Sequence, residues 1–280
     1  SPAQARSCSQ RRLSTLARTI LVRHNRIAPA LEEVRHFWEQ NPLSAAAVGA
    51  EPGSPEFFAM YDRLRERNEP REFAGQLHEY SSFSGRRVLE VGCGNAYTLL
   101  RYAEHGALVH GLDLTQAAID ISRKRFAYRG LTGDFRVGDA EALPYESDSF
   151  DCICSMGVLH HVPNPVRAVA EIHRCLKPGG RLIVMVYHRH SFHYQVTLRL
   201  WALLSGRSMQ QAVNEVDGAG NPKGDVYSRK ELRELLKDFH DLEVFAGLLQ
   251  LPKLGVLFPS AMGNPIGKSL GWFLYARGRK

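Results

Sequence analysis

The run Val88-Leu89-Glu90-Val91-Gly92-Cys93-Gly94-Asn95-Ala96 restricts the fold more than any other stretch of the chain. A short apolar strand passes directly into a glycine loop, and a helical pattern (Leu99, Leu100, Tyr102, Ala103) begins at once. Strand, glycine loop and helix in that order bring backbone close to a ligand at a helix N-terminus. A second apolar run, Leu108-Val109-His110-Gly111-Leu112, ends in Asp113, 19 residues past Gly94. An acid at the tip of the second strand is placed to accept from both hydroxyls of a ribose. The pattern therefore predicts a parallel α/β sheet with a nucleoside at its edge.

Up to this point a nicotinamide dinucleotide and S-adenosylmethionine (SAM) fit equally well, and the following segments separate them. A third strand (Phe135-Arg136-Val137) ends in Gly138-Asp139-Ala140. A fourth, introduced by Phe150-Asp151, runs Cys152-Ile153-Cys154-Ser155-Met156 and continues Gly157-Val158-Leu159-His160-His161-Val162. A helix over 165–176 leads to Leu176-Lys177-Pro178-Gly179-Gly180-Arg181 and a fifth strand, 182–187. The ordered set E-V-G-C-G, L-D-L, G-D-A, F-D-C-I and L-K-P-G-G, covering roughly 85–190, resembles the class I SAM-dependent methyltransferases. A dehydrogenase is not expected to carry the G-D-A and L-K-P-G-G pair. The later turn Tyr187-His188-Arg189 and the Asp217…Asn221-Pro222…Tyr227 stretch are similar to a bacterial subgroup of the methyltransferase type 11 family.

That resemblance implies a Rossmann-like, doubly wound seven-stranded sheet whose seventh strand is antiparallel, with a helix over 229–239 followed by 242–245 and 272–277 as the last two strands. It implies SAM as cofactor, and a role for each matching residue. Glu90 and the backbone of Gly92, Cys93 and Gly94 surround its amino-acid end. Asp113 holds the ribose and Leu114 lies against the adenine. Asp139 accepts from the adenine amino group while the Ala140 N–H donates to the ring. Ser155 and Met156 sit beside the sulfonium.

Methyl transfer from a sulfonium is an in-line displacement, so the protein supplies alignment, a dry pocket and sometimes a base. His160 and His161, just past the fourth strand, are the expected proton-handling residues, with Tyr187 and His188 next. Their bland alternative is a helix-entry or core histidine. Phe37 and Trp38, with Tyr187 and Tyr227, are the aromatics expected to meet the methyl acceptor. His188-x-His190-x-x-His193 has no Cys partner and a spacing that suits neither helix nor strand, so no metal site is expected. Two stretches exceed a minimal sheet domain, 188–227, which includes an apolar helix expected over 196–204, and the apolar 247–271, and both are expected to act as lids.

Residues 85–280 are thus expected to form a complete methyltransferase domain, preceded by a helical cap over 32–84. The cap reads as a helix from Pro29 to Asn41, a Pro- and Gly-rich loop, and a helical stretch over about 56–80. Its aromatics either line a cofactor pocket or form the buried face of the cap. Residues 1–31 contain six arginines and no acid, so the remaining 249 residues hold 30 bases against 29 acids. The overall charge of +7 is therefore a property of an arm, on which Leu13, Leu16, Ala17, Ile20 and Leu21 make an amphipathic helical stripe. Three destinations fit the arm: its own body, a membrane surface or partner, and an import machinery.

A nearly neutral body argues against nucleic acid as partner, and the apolar 247–271 with the basic amphipathic helix makes a small apolar or amphipathic molecule the expected acceptor. An RNA methyltransferase and a SAM-binding protein without turnover are the competing readings. No run of about 18 uncharged apolar residues is present, so no membrane span is expected. Five cysteines without a C-x-x-C read as reduced thiols. The expected location is cytoplasmic, or mitochondrial or membrane-peripheral if the arm targets or anchors. No sequence feature sets an oligomeric state or the acceptor atom.

Overall fold

The computed structural model describes residues 29–42, 48–247, 249–250, 257–258 and 269–280. The basic arm through residue 28 and most of the expected lid over 247–271 lie outside the described residues.

Strand β1 (Arg87–Val91) is buried from Val88 onward, and its neighbours β2 (Leu108–Asp113), β3 (Asp134–Val137), β4 (Phe150–Met156) and β5 (Leu176–Tyr187) run parallel to it. Strands covered on both faces need apolar side chains at odd and even positions alike, which is why they read as continuous apolar runs. Val88, Cys152, Cys154, Ile183 and Met185 pack to one face with helices α3 (Arg71–His78), α4 (Tyr97–Glu104) and α5 (Gln116–Tyr128). Leu89, Val91, Ile153, Leu182 and Val184 pack to the other with α6 (Pro165–Cys175) and α9 (Arg229–Leu235). The two sets alternate residue by residue, as side chains on a strand must. Cys93, Cys152, Cys154 and Cys175 are buried free thiols.

Strand β6 (His240–Gly247) and strand β9 (Phe273–Arg279) complete a sheet of order β3-β2-β1-β4-β5-β9-β6, with β9 antiparallel to both neighbours. This is the expected seven-stranded sheet with one antiparallel member. Two-residue strands β7 (Leu249–Gln250) and β8 (Leu257–Phe258) pair by themselves within the expected lid. The chain leaves β1 in one direction and β4 in the other, so a crevice opens between the carboxyl tips of these adjacent strands.

Four boundaries differ from the sequence expectation. The stretch over 56–80 is two helices, α2 (Pro55–Asn68) and α3, because Pro70 cannot continue α2. β5 begins at Leu176, since L-K-P-G-G joins the strand across a bulge between Phe150 and Cys152 of β4. The apolar helix expected over 196–204 opens as a π-helical turn, His193–Leu198, before α7 (Arg199–Ser205). The helix from 229 stops at Leu235, short of Phe239. A short α8 (Met209–Asn214) and a 3-10 turn, Glu215–Asp217, follow α7. The first cap helix is α1 (Leu31–Gln40); its Glu39 carboxylate accepts from the N–H groups of Gln116 and Ala117 at 3.1 and 3.0 Å. α1 thereby caps the N-terminus of α5 and lies over the tip of β2.

Candidate active site

A cleft of about 830 Å³, its open mouth included, runs along the carboxyl tips of β1, β2, β3 and β4. Seven of the ten residues expected around a cofactor line it: Gly92, Gly94, Asp113, Leu114, Asp139, Ala140 and Met156. The other three, Glu90, Cys93 and Ser155, are buried behind that surface. Leu31, Val34 and Trp38 of α1 form the opposite wall.

The glycine loop is shaped by contact as well as by conformation. Gly92 has φ +76°, and a Cβ there would stand 2.2 Å from Val158 Cγ2, so only glycine lets the loop and the segment after β4 approach. The Gly94 N–H donates to Asp113 Oδ2 at 3.0 Å, while the Thr115 N–H and hydroxyl donate to Oδ1 at 3.1 and 2.9 Å. Burial holds the Asp113 carboxyl above the usual aspartate range despite these donors. Asp139 Oδ1 accepts the N–H of Glu141 at 2.9 Å where the residue lines the cleft.

Beneath the loop lies Glu90, with Oε2 enclosed and unpartnered. Burial pushes its carboxyl up to about 8; the Thr98 hydroxyl, Arg65 and the Leu99 N–H pull the other way. The loop is also braced from the cap. Arg125, only 1% exposed, donates from Nη1 to Asp62 of α2 at 2.7 Å and from Nη2 to Asn95 Oδ1 at 3.3 Å. Its guanidinium lies 4.5 Å from the Phe58 ring centroid.

At the other end of the cleft stands His161, the one member of the quartet His160, His161, Tyr187 and His188 that lines it. Its ring meets Trp38 edge-on at 5.0 Å, and its Nδ1 is hydrogen-bonded to the Lys223 carbonyl. Its Nε2 faces Asp217 Oδ2 at 3.4 Å, and the Tyr187 hydroxyl donates to Asp217 Oδ1 at 2.6 Å. His160 is fully buried between His161 and Tyr187, with ring centroids 4.1 and 4.0 Å away. Burial, then the charges of His161 and Lys223, hold its pKa well below the ordinary histidine value.

Three further residues expected at the site lie away from the cleft. His188 is buried past the end of β5 with Nδ1 on the Gly271 carbonyl at 2.9 Å, and burial lowers its pKa to about 4. Tyr227 belongs to the core beside β5, where its N–H donates to the Tyr187 carbonyl. Phe37 does not line the cleft either; it packs beneath the turn at Gly218. His188, His190 and His193 do not converge, since His188 bonds Gly271 and His193 stacks on Trp272. Asp217 and Lys223 are the site residues the sequence pattern missed.

Comparison with known proteins shows what this arrangement resembles. The profile of the family described as "Methyltransferase domain" matches residues 89–184, from β1 through most of β5. Over these residues the chain is similar to methyltransferase domains, and its seven-stranded sheet has the fold of the solved methyltransferases it superposes on. The ubiquinone biosynthesis O-methyltransferase of Coxiella burnetii is 31% identical over 122 residues, covering 44% of this chain and 52% of that one. The phthiotriol/phenolphthiotriol dimycocerosates methyltransferase of Mycobacterium leprae is 42% identical over 103 residues, 36% of this chain and 37% of that one. The chain thus spans about half the length, or less, of the curated relatives it matches. Among solved structures, a SAM-dependent methyltransferase from Thermotoga maritima superposes with TM-score 0.54 at 24% identity, covering 80% of this chain and 96% of that one. The [4+2]-cyclase SpnF superposes with TM-score 0.58 at 21% identity, covering 90% and 97%. Those two likenesses concern the fold alone, and a cyclase beside a methyltransferase illustrates that this fold does not dictate a reaction.

Proposed function

We propose that this methyltransferase domain binds SAM in the cleft and methylates a small apolar or amphipathic molecule that enters between α1 and His161. The observation that carries the reading is the placement of Asp113 and Asp139 at adjacent strand tips, on either side of an apolar floor. The residues present fit the cofactor: Gly92 leaves a cradle that a Cβ would fill, and Glu90 offers an enclosed, unpartnered carboxylate oxygen. When bound, SAM supplies an electrophilic methyl group on a sulfonium.

The chain's own residues do the rest. Glu90, with the backbone of Gly92, Cys93 and Gly94, holds the amino-acid end; Asp113 accepts from the ribose and Leu114 packs on the adenine. Asp139 and the Ala140 N–H read the adenine edge, and Ser155 and Met156 flank the reacting centre. Trp38, with Leu31 and Val34, excludes water from the acceptor, and the His161 ring closes that wall beside Trp38. His160 and Tyr187 support His161 from behind. Residues 32–84 act as the cap and 188–227 as a lid over the domain of residues 85–280.

An apolar acceptor is favoured by the wall of Leu31, Val34, Trp38, Val158 and Val162. The relatives' names, ubiquinone biosynthesis and phthiotriol dimycocerosates, point to lipophilic acceptors as well. Among the described residues no helix is long and apolar enough to cross a membrane. We place the domain in the cytoplasm, with peripheral membrane contact through the basic arm as the alternative.

The test is calorimetric titration with S-adenosylhomocysteine (SAH), followed by SAH release during incubation with SAM and either lipophilic hydroxyaromatics or hydrophilic acceptors. One SAH per chain and turnover with the lipophilic set are expected. Absence of SAH binding would remove the cofactor assignment, and preference for hydrophilic acceptors would remove the substrate class. Salt-sensitive binding and methylation of RNA would favour a nucleic-acid substrate instead.

A further inference from the structure

Behind the cleft-lining face of His161, three ligand-type side chains meet with nothing between them. The potential donor atoms of His160, His161 and Asp217 all lie within 4.8 Å of one another, the one such group of three among the described residues. Their hydrogen-bonding state is incomplete in a specific way. A carbonyl only accepts, so the contact with Lys223 puts the proton of His161 on Nδ1 and the lone pair on Nε2. That lone pair faces Asp217 Oδ2, another acceptor, at 3.4 Å. Asp217 Oδ2 has no hydrogen-bond donor, because the Tyr187 hydroxyl serves Oδ1. Both ring nitrogens of His160 are fully enclosed and unpartnered as well.

Buried polar atoms are rarely left in this condition. A proton shared between His161 Nε2 and Asp217 Oδ2 would satisfy that pair and leave His160 bare on both sides. A cation would take up Nε2, Oδ2 and one nitrogen of His160 together. We propose that His160, His161 and Asp217 bind a divalent metal ion of the zinc class, behind the acceptor end of the cleft. Two imidazoles and one carboxylate suit zinc, cobalt, manganese or iron(II), whereas calcium and magnesium prefer oxygen alone. The surrounding contacts are those a metal site needs. The Lys223 carbonyl fixes the His161 ring through Nδ1, and the Tyr187 hydroxyl fixes the carboxylate through Oδ1.

The three ligands come from two distant places. His160 and His161 follow β4, whereas Asp217 ends the 3-10 turn after α8. The Asp225 N–H already donates to the His160 carbonyl at 3.0 Å. An ion would therefore tie the segment over 215–225 to the sheet and set the acceptor end of the cleft. The binding does not depend on the methyl-transfer reading; only the phrase "acceptor end" rests on it.

The experiment uses the full chain, stripped with chelator and dialysed, then titrated with zinc chloride by calorimetry and with cobalt chloride by visible absorption. One equivalent per chain is expected, with a cobalt d–d band and an upward shift of the thermal midpoint. Asp217→Asn preserves shape and the Tyr187 contact but removes the charge, and His160→Gln shortens a ligand; each should weaken binding at least about tenfold. His240→Gln, at an exposed imidazole on β6, should leave it unchanged. Failure of the wild-type chain to bind either ion stoichiometrically overturns the proposal, as does equal binding by Asp217→Asn. SAH titration of the same samples keeps the two ideas apart, since SAH binding without metal binding refutes the metal site alone.

Discussion

Replacing Glu90 with Gln should make the cofactor-free protein more stable at neutral pH while it weakens cofactor binding. In the folded chain burial raises this carboxyl from 4.5 to about 8, so between those values the folded state keeps a proton that the unfolded state releases. The folded state then binds more protons, and stability must fall as pH rises through that window. At about 1.4 kcal/mol per pH unit the loss reaches about 3 kcal/mol at pH 7 and levels off near about 5 kcal/mol above pH 8. Glutamine has the same shape and no charge to bury, so Glu90→Gln should match wild type near pH 4.5 and exceed it by about 3 kcal/mol at pH 7, or about 5–10 °C in midpoint. The assay is urea and thermal unfolding of both proteins from pH 4.5 to 9 without cofactor. In the proposed complex the cofactor's ammonium restores a partner for the ionised carboxylate. Wild-type SAH affinity should therefore rise from pH 6 to 8, whereas the variant's should stay flat and about 10- to 150-fold weaker. A variant that is less stable than wild type at pH 7, with an unchanged pH slope, would refute the reasoning, because Glu90 would then be an ionised and well-paired carboxylate.

Gly92→Ala places a methyl 2.2 Å from Val158 Cγ2 at a φ of +76°, and should cost about 1–3 kcal/mol of stability and more than about tenfold in SAH affinity, read by calorimetry. Asp113→Asn keeps the shape but loses a charged acceptor of the Gly94 and Thr115 donors; SAH should bind about 10- to 150-fold more weakly, with a smaller change in unfolding midpoint. Arg125→Met strands the Asp62 carboxylate and frees Asn95, so urea unfolding should show a loss of about 3–5 kcal/mol, partly recovered in the Arg125→Met/Asp62→Leu double variant.

How far the site could be read from the chain depends on how each part is assembled. The cofactor half is built from strand tips, and each tip follows its own strand without interruption: Val91 into Gly92, Leu112 into Asp113, Val137 into Gly138-Asp139. A parallel strand buried on both faces announces itself as an apolar run, so the residue that ends the run is already a statement about position in space. The acceptor half has no such local rule. Trp38, His161 and Asp217 belong to a cap helix, a loop after β4 and a 3-10 turn, and the 55 residues between His161 and Asp217 carry no periodicity that would bring them together. His188 illustrates the opposite error. It directly follows a strand tip, as Asp113 and Asp139 nearly do, yet β5 lies one strand beyond the β1–β4 crevice. Its tip is covered by the backbone of Tyr227 and Gly271, and pleat alternation sends Tyr187 and His188 to opposite sides. Position along a strand was therefore sufficient evidence only where the strand borders the switch point. The same logic explains why the metal-type cluster formed around His160 and His161 and not around His188, His190 and His193. Close spacing in sequence after the strand sent His188 to the Gly271 carbonyl and His193 to the Trp272 ring, whereas two histidines beside the crevice met a carboxylate from a remote turn.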